Sequence, residues 1–247
     1  MKERIYRPRY TTSGHIFISP RDNPDLVVDA ILDSDYNEEF CLALDFDPAF
    51  VARLMGSGFL VMSMKQKQDP ENSDPDIPEF IMLPKLHLVR SVLFFSDLRI
   101  KKSIRSRLSR YELRMNTDFN FIVDRCIAVH GDAWLTKPLI EMIKTIREFG
   151  PSFFGKIRPI SFGVYRDGIL RAGEFGVLVG RVYTSYSGYY DETGAGTAQI
   201  ILMTQYLQDQ GFAFLDFGMP LDYKTDLGAS NIDPYSFVRI FREGRDL

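Results

Sequence analysis

Two carboxylates stand where a carboxylate is costly. Asp216 ends the apolar run F-A-F-L-D, and Glu174 interrupts A-G-E-F-G-V-L-V. A charged side chain in such surroundings needs partners or a task, and near neutral pH that task is to accept or relay a proton. From these residues alone two other readings stay open: Asp216 as the cap of the following loop, and Glu174 on the solvent face of an alternating strand. A third feature is basic. Residues 98–114 carry Arg99, Lys101, Lys102, Arg105, Arg107, Arg110 and Arg114 against the single acid Glu112, while Ile100, Ile104 and Leu108 recur every four residues. That spacing predicts a helix with an apolar stripe inward and its cations spread over the solvent side, a face suited to phosphates. A merely solvated helix face is the alternative. No interleaved aromatics suggest base stacking, so such contacts would position a nucleic acid without reading its sequence.

The turn D-E-T-G-A-G-T-A at 191–198 lies between a strand pattern and a helix pattern. Backbone N–H groups at such a turn make an anion site, of the kind that holds a coenzyme A pyrophosphate in acetyltransferases. Asp191 stands ahead of the glycines and would repel that group; a plain turn is the other reading. Cys41 and Cys126 are far apart and in no C-x-x-C pattern, and His15, His87 and His130 stand alone. Neither a disulfide framework nor a metal site is expected, and no Ser–His–Asp or Cys–His set can be assembled.

The elements that must position these groups are legible in part. Asp47-Pro48 opens a short capped helix. Residues 65–79, K-Q-K-Q-D-P-E-N-S-D-P-D-I-P-E, read as a linker or exposed loop. Ser91 to Phe95 is a short strand. Phe119, Ile122, Cys126 and Val129 predict a helix ending at Gly131, and Thr136 caps a helix with Pro138 in its first turn and Gly150 past its end. Ile160–Tyr165 and Ile169–Val179 flank R-D-G, a hairpin signal. Arg181–Tyr190 is a third strand, Ala195–Gln210 a helix, Phe212–Asp216 a buried strand and Asp233–Phe241 a closing helix. This order predicts an α/β or α+β domain from about residue 85 onward.

The chain has 247 residues, 45% hydrophobic and 26% charged, with a net charge of -3. That is ample for a sizeable core and argues against a protein that is basic all over. The N-terminus lacks the apolar segment of a signal peptide, and no apolar run approaches a bilayer span. A cytoplasmic protein without membrane partners is expected.

Several of these stretches occur in an order that resembles leucyl/phenylalanyl-tRNA–protein transferases. R-S-V-L-F at Arg90 is similar to the family's R-x-V-L-F, and the basic segment with Lys102-Ser103 occupies the place of its tRNA-binding helix. A-W-L-T at Ala133, L-R-A-G-E-F-G-V-L-V-G, L-D-F-G and D-L-G-A-S-N-I-D are similar to the family's T-W-I, L-V-G-G-x-Y-G-V-x-x-G, L-I-D-C-Q and S-L-G-A-x-x-I. Where the common bacterial form has G-E-S-M-F-S this chain has S-Y-S-G-Y-Y, so the family's glutamate falls on Tyr186, and the glutamine of D-C-Q falls on Gly218. A-G-E-F-G, Y-T-S-Y-S-G and Y-K-T-D-L-G-A resemble a divergent branch found in some spirochaetes and in plants.

The resemblance implies an acetyltransferase-like (GNAT-type) catalytic domain over 81–247, with a mixed sheet flanked by helices, behind a small N-terminal α+β domain over 1–80. It implies transfer of Leu or Phe from aminoacyl-tRNA to the N-terminal α-amine of an acceptor protein, tagging it for degradation under the N-end rule, by a monomer without a cofactor. On that reading Asp216 orients and deprotonates the acceptor amine, directly or through a relay. Glu174 stands in for the glutamate lost at Tyr186, or recognises the acceptor N-terminus. Trp134, Phe175, Tyr183, Tyr186, Ser187 and Met219 line the aminoacyl site, and Arg99, Lys101, Lys102, Arg105, Arg107 and Arg110 hold the tRNA. The rivals are a non-catalytic tRNA-binding relative and a coenzyme A-dependent small-molecule N-acyltransferase.

Overall fold

The computed structural model describes residues 6–66 and 78–247. The chain divides into two compact units, one of residues up to Leu88 with Asp132–Phe154, the other of Val89–Gly131 with Gly155–Leu247. In the first unit β1 (Arg9–Tyr10) and β2 (Ile16–Phe17) pair antiparallel, followed by α1 (Pro24–Leu32) and α2 (Pro48–Gly56). As the sequence predicts, Asp47 caps α2: its carboxylate accepts the Phe50 N–H at 2.8 Å, with Pro48 in the first turn. β3 (Leu60–Lys65) pairs antiparallel with β4 (Phe80–Lys85) along their whole length. The stretch read as a linker therefore joins two paired strands of one unit; its residues 67–77 lie outside the described ones, and the expected boundary at 80/81 falls within β4, inside that unit.

The chain then enters the second unit with β5 (Arg90–Leu93), α3 (Lys102–Arg105), β6 (Glu112–Met115) and α4 (Phe119–His130). It returns to the first for α5 (Lys137–Phe149) and α6 (Pro151–Phe154). Residues 132–154, which the sequence reading gave to the catalytic domain, thus cluster with the N-terminal unit. Thr136 precedes α5 as expected, yet its side chain caps nothing: its hydroxyl is 2.6 Å from that of buried Ser63 on β3.

The continuous helix predicted over 98–114 does not form. The segment holds only the one-turn α3 and a 3-10 turn at Leu108–Arg110 before it extends into β6. Like charges at i,i+4 (Lys101 and Arg105, Arg110 and Arg114) destabilise a helix, and three serines add little propensity. The sidedness survives: Ile100, Ile104 and Leu108 are half-buried while Arg99, Lys101, Lys102, Arg105, Arg107 and Arg110 are exposed.

The remainder builds β7 (Ile157–Arg166), β8 (Ile169–Val179), β9 (Val182–Tyr190), α7 (Ala195–Asp209), β10 (Phe214–Gly218), α8 (Asp222–Asp226), β11 (Ser230–Ile232) and α9 (Pro234–Asp246). The β7–β8 hairpin turns where it should. Asp167 (φ 54°) and Gly168 (φ 77°) are both left-handed, the two-residue geometry for which Asp-Gly is suited. A seven-stranded mixed sheet results, in the order β11-β5-β10-β9-β8-β7-β6, parallel only between β9 and β10. Helices flank it on both faces, which is why β7 and β8 are buried almost without alternation. On one face α4 packs over β7, β8 and β9, with Ile122 against Gly173; on the other Met203 and Leu207 of α7 join Phe162, Leu178, Tyr183, Leu215 and Phe217 in one apolar cluster.

Candidate functional site

β9 and β10 pair only through Asp216, which lies opposite Thr184. Just beyond this last rung each strand bulges. β9 carries Tyr186 as an extra residue between Ser185 and Ser187, and β10 carries Phe217 as an extra residue between Asp216 and Gly218 against β5. Bulges bend and twist strands, and beyond Asp216 and Thr184 the two parallel strands no longer pair. Gly218, at φ 70°, supplies the left-handed conformation that the β10 bulge requires.

Asp216 sits on that last paired rung, fully buried. Its carboxylate accepts Arg90 Nε at 2.8 Å and the Gly218 N–H at 2.9 Å through one oxygen, and Arg90 Nη2 at 2.7 Å and Thr184 Oγ1 at 2.9 Å through the other. Four donors meet about four lone-pair sites. Burial alone would raise its pKa, but the Arg90 charge and these hydrogen bonds hold it below the usual carboxylate value. Arg90 is itself buried beneath the Phe237 ring of α9, 4.4 Å away. All four contacts hold Asp216 and its donors Arg90, Thr184 and Gly218 together in one buried cluster.

Glu174 lies on the opposite, α7, face of the sheet, paired with Phe162 on β7. It is buried, accepts the Tyr183 hydroxyl at 3.0 Å, and has Gln199 and Ser185 as further hydrogen-bond donors. Burial raises its pKa to about 7 against the pull of those donors and of Lys224. The two candidate carboxylates therefore do not face one another, but their surroundings push their ionisation apart, as in acid–base sites.

The other expected residues separate in the same way. Tyr183 is fully buried, edge-on to Phe162 at 5.4 Å, and serves to hold Glu174. Phe175 points to the α4 face, with its ring 6.1 Å from those of Phe119 and Tyr186. Ser187 lies opposite Phe175, and its carbonyl accepts from Cys126 Sγ. Phe175, Tyr186 and Ser187 are thus brought together, but away from Tyr183. Met219 is exposed at the end of β10. Trp134 belongs to the first unit, where its carbonyl accepts the Ser63 N–H. In the glycine turn Gly194 is left-handed, and the Glu192 carboxylate accepts Tyr111 Oη and Arg166 Nη1, each at 2.6 Å.

Sequence reasoning missed Lys224 on α8. It is buried, and its ammonium donates at 2.7 Å to the carbonyls of both Phe217 and Met219, on either side of Gly218. Burial lowers its pKa to about 8 against the pull of Asp216 and Glu174. Lysine in the polar stretch Y-K-T-D reads as surface, and nothing in that pattern foretells burial.

The basic segment runs along the same end of the sheet. The Arg99 N–H donates to Leu227 C=O, Lys101 pairs with Asp226 of α8 at 2.7 Å, and Ile104 approaches Gly194. Among the described residues no group of three His, Cys, Asp or Glu could hold a metal ion, and no helix is long and apolar enough to cross a membrane.

The leucyl/phenylalanyl-tRNA protein transferase from Pseudomonas putida (strain W619) is 28% identical over 154 residues, 60% of this chain and 65% of the relative. The one from Pseudomonas paraeruginosa is 26% identical over 162 residues, 64% and 69% of the two chains. The chain thus spans slightly less than two thirds of the length of the first. Among solved structures, that of FemX is similar at 11% identity and a TM-score of 0.45, covering 89% of this chain and 78% of that one. A family model for leucyl/phenylalanyl-tRNA protein transferase matches residues 92–242, from the strand that carries the anchor of Asp216 to the helix that covers it. With most of the sheet and every candidate-site residue but Arg90 inside that match, this chain belongs to the leucyl/phenylalanyl-tRNA protein transferase family.

Proposed function

We propose that the protein moves an amino acid, Leu or Phe, from aminoacyl-tRNA to the N-terminal α-amine of an acceptor protein, on an acetyltransferase-like catalytic domain. One observation carries this reading: the exposed cations of 99–110 are tied by Arg99 and Lys101 to Leu227 and Asp226, at the end of α8, which holds Lys224 against β10 just past its last pairing with β9. A tRNA backbone held there would bring its 3′ end to the place where β9 and β10 cease to pair. The ester is already activated, so the protein has to align the amine, take its proton and stabilise the oxyanion. Glu174, with a pKa near 7, is suited to take the proton; Asp216 fixes Arg90, Thr184 and the Gly218 bulge. Phe175, Tyr186 and Ser187, gathered on one side of β9, are suited to the aminoacyl group.

The deciding experiment is transfer of labelled amino acid from a panel of charged tRNAs to peptides with different N-termini. Incorporation from Leu- or Phe-tRNA at the peptide α-amine is expected. Binding of charged tRNA without incorporation would make the protein a non-catalytic relative, and acetyl-CoA binding by calorimetry would favour the coenzyme A reading.

A further inference from the structure

A buried lysine needs an account. Lys224 is 5% exposed. Two of its three ammonium protons go to the carbonyls of Phe217 and Met219, and its Nζ lies 5.7 Å from the Phe217 ring centroid and 5.8 Å from that of Tyr223. The third N–H has no partner among the described residues. Tethering a bulge asks only for a hydrogen-bond donor; burying a full charge to do so is costly. The carbonyls it grips lie at the end of β10 and just past it, immediately after Asp216, the last residue that pairs with β9, so the ammonium is fixed where β10 leaves β9. Its field is shared with Glu174 from β8, Asp216 from β10 and Arg90 from β5, while the exposed Lys101–Asp226 pair lies farther along its own helix.

We propose that Lys224 is a catalytic residue whose free N–H receives the oxyanion formed during aminoacyl transfer. The assignment rests on the transfer reaction proposed above. The acceptor nitrogen attacks the ester carbonyl carbon, a C–N bond forms, and the carbonyl electron pair moves onto oxygen, where the Lys224 ammonium donates a hydrogen bond and keeps its proton. The proton lost by nitrogen goes to Glu174. On collapse the C–O bond to the terminal ribose breaks, and the ribose oxygen takes that proton back, leaving both side chains as they began. A donor held by two carbonyls needs no reorganisation as charge develops, which is what makes such donors effective.

Single-turnover transfer by the full chain, over a range of pH and with one acceptor peptide, tests the assignment. Lys224→Met should lose about 100-fold in rate while aminoacyl-tRNA binding stays within about threefold. Lys224→Arg, which holds its charge to far higher pH, should move the alkaline fall in rate upward relative to the unaltered protein; the acceptor's own ionisation is common to both and cancels. A Met variant as fast as the unaltered protein, or an alkaline limb identical in the Arg variant, overturns the proposal. If the Met variant does not fold, the Arg profile decides alone. No transfer by the unaltered protein, despite bound aminoacyl-tRNA, overturns the transferase reading and this assignment with it.

Discussion

Glu174 and Asp216 are both buried acids, two strands apart, and their surroundings drive them in opposite directions. Asp216 is held charged by four donors, whereas Glu174 has neutral donors and a more distant ammonium, so its proton is kept to about pH 7 against an ordinary value of 4.5. Below pH 4.5 Glu174 is protonated whether the chain is folded or not. As pH rises to 7 the unfolded chain releases a proton that the fold retains, so stability falls through that window and no further above it. At about 1.4 kcal/mol per factor of ten, the displacement is worth about 3 kcal/mol. Glu174→Gln lacks this dependence. Its melting temperature relative to the unaltered protein should rise by several degrees between pH 5 and pH 7.5, while transfer falls at least about tenfold. Parallel melting curves would show that Glu174 ionises normally, and undiminished transfer would remove it from the mechanism.

At the scale of elements, β8 and β9 meet so closely that one position admits only glycine. A Cβ on Gly176 would overlap the Thr184 carbonyl and stand 2.7 Å from the Tyr183 hydroxyl. Gly176→Ala must therefore push apart the strands that carry Glu174 and Tyr186. A loss of about 1–3 kcal/mol in denaturant unfolding is expected, and an unchanged midpoint would mean that the register of β8 on β9 is wrong. Much at this scale was legible. The R-D-G hairpin, the helix beginning at Asp47-Pro48, the end of α4 at Gly131 and the helix after Asp233 form where local chemistry placed them, because each is decided by a turn or cap within a few residues. The 98–114 helix failed because its apolar stripe predicts which side is buried, not whether seven cations tolerate one helix. That Glu174 and Asp216 face opposite ways was illegible for another reason: facing follows strand parity, and the bulge at Tyr186 resets the parity of β9 partway along. Lys224 was beyond reach because only tertiary packing buries it.

Over the whole molecule the net charge is -3, so attraction to a polyanion must come from a local concentration of cations. Lys102 and Arg105 stand exposed on α3 with no acid paired to either among the described residues. Reversing both, as Lys102→Glu with Arg105→Glu, should weaken tRNA binding and lower the slope of log affinity against log salt by about one to two, with folding unaffected. Equal binding at all salt concentrations would return the segment to a solvated face. The Asp216 anchor also bears on how relatives are sorted. Removing any one of its donors leaves a buried charge unsatisfied, so the fold itself selects for the whole set. A lineage that had stopped transferring amino acids would still be bound to its aspartate by folding alone. Finding that aspartate in another sequence therefore says that the chain can fold; on the roles proposed above, Glu174 and Lys224 are the residues that would separate a working descendant from a silent one.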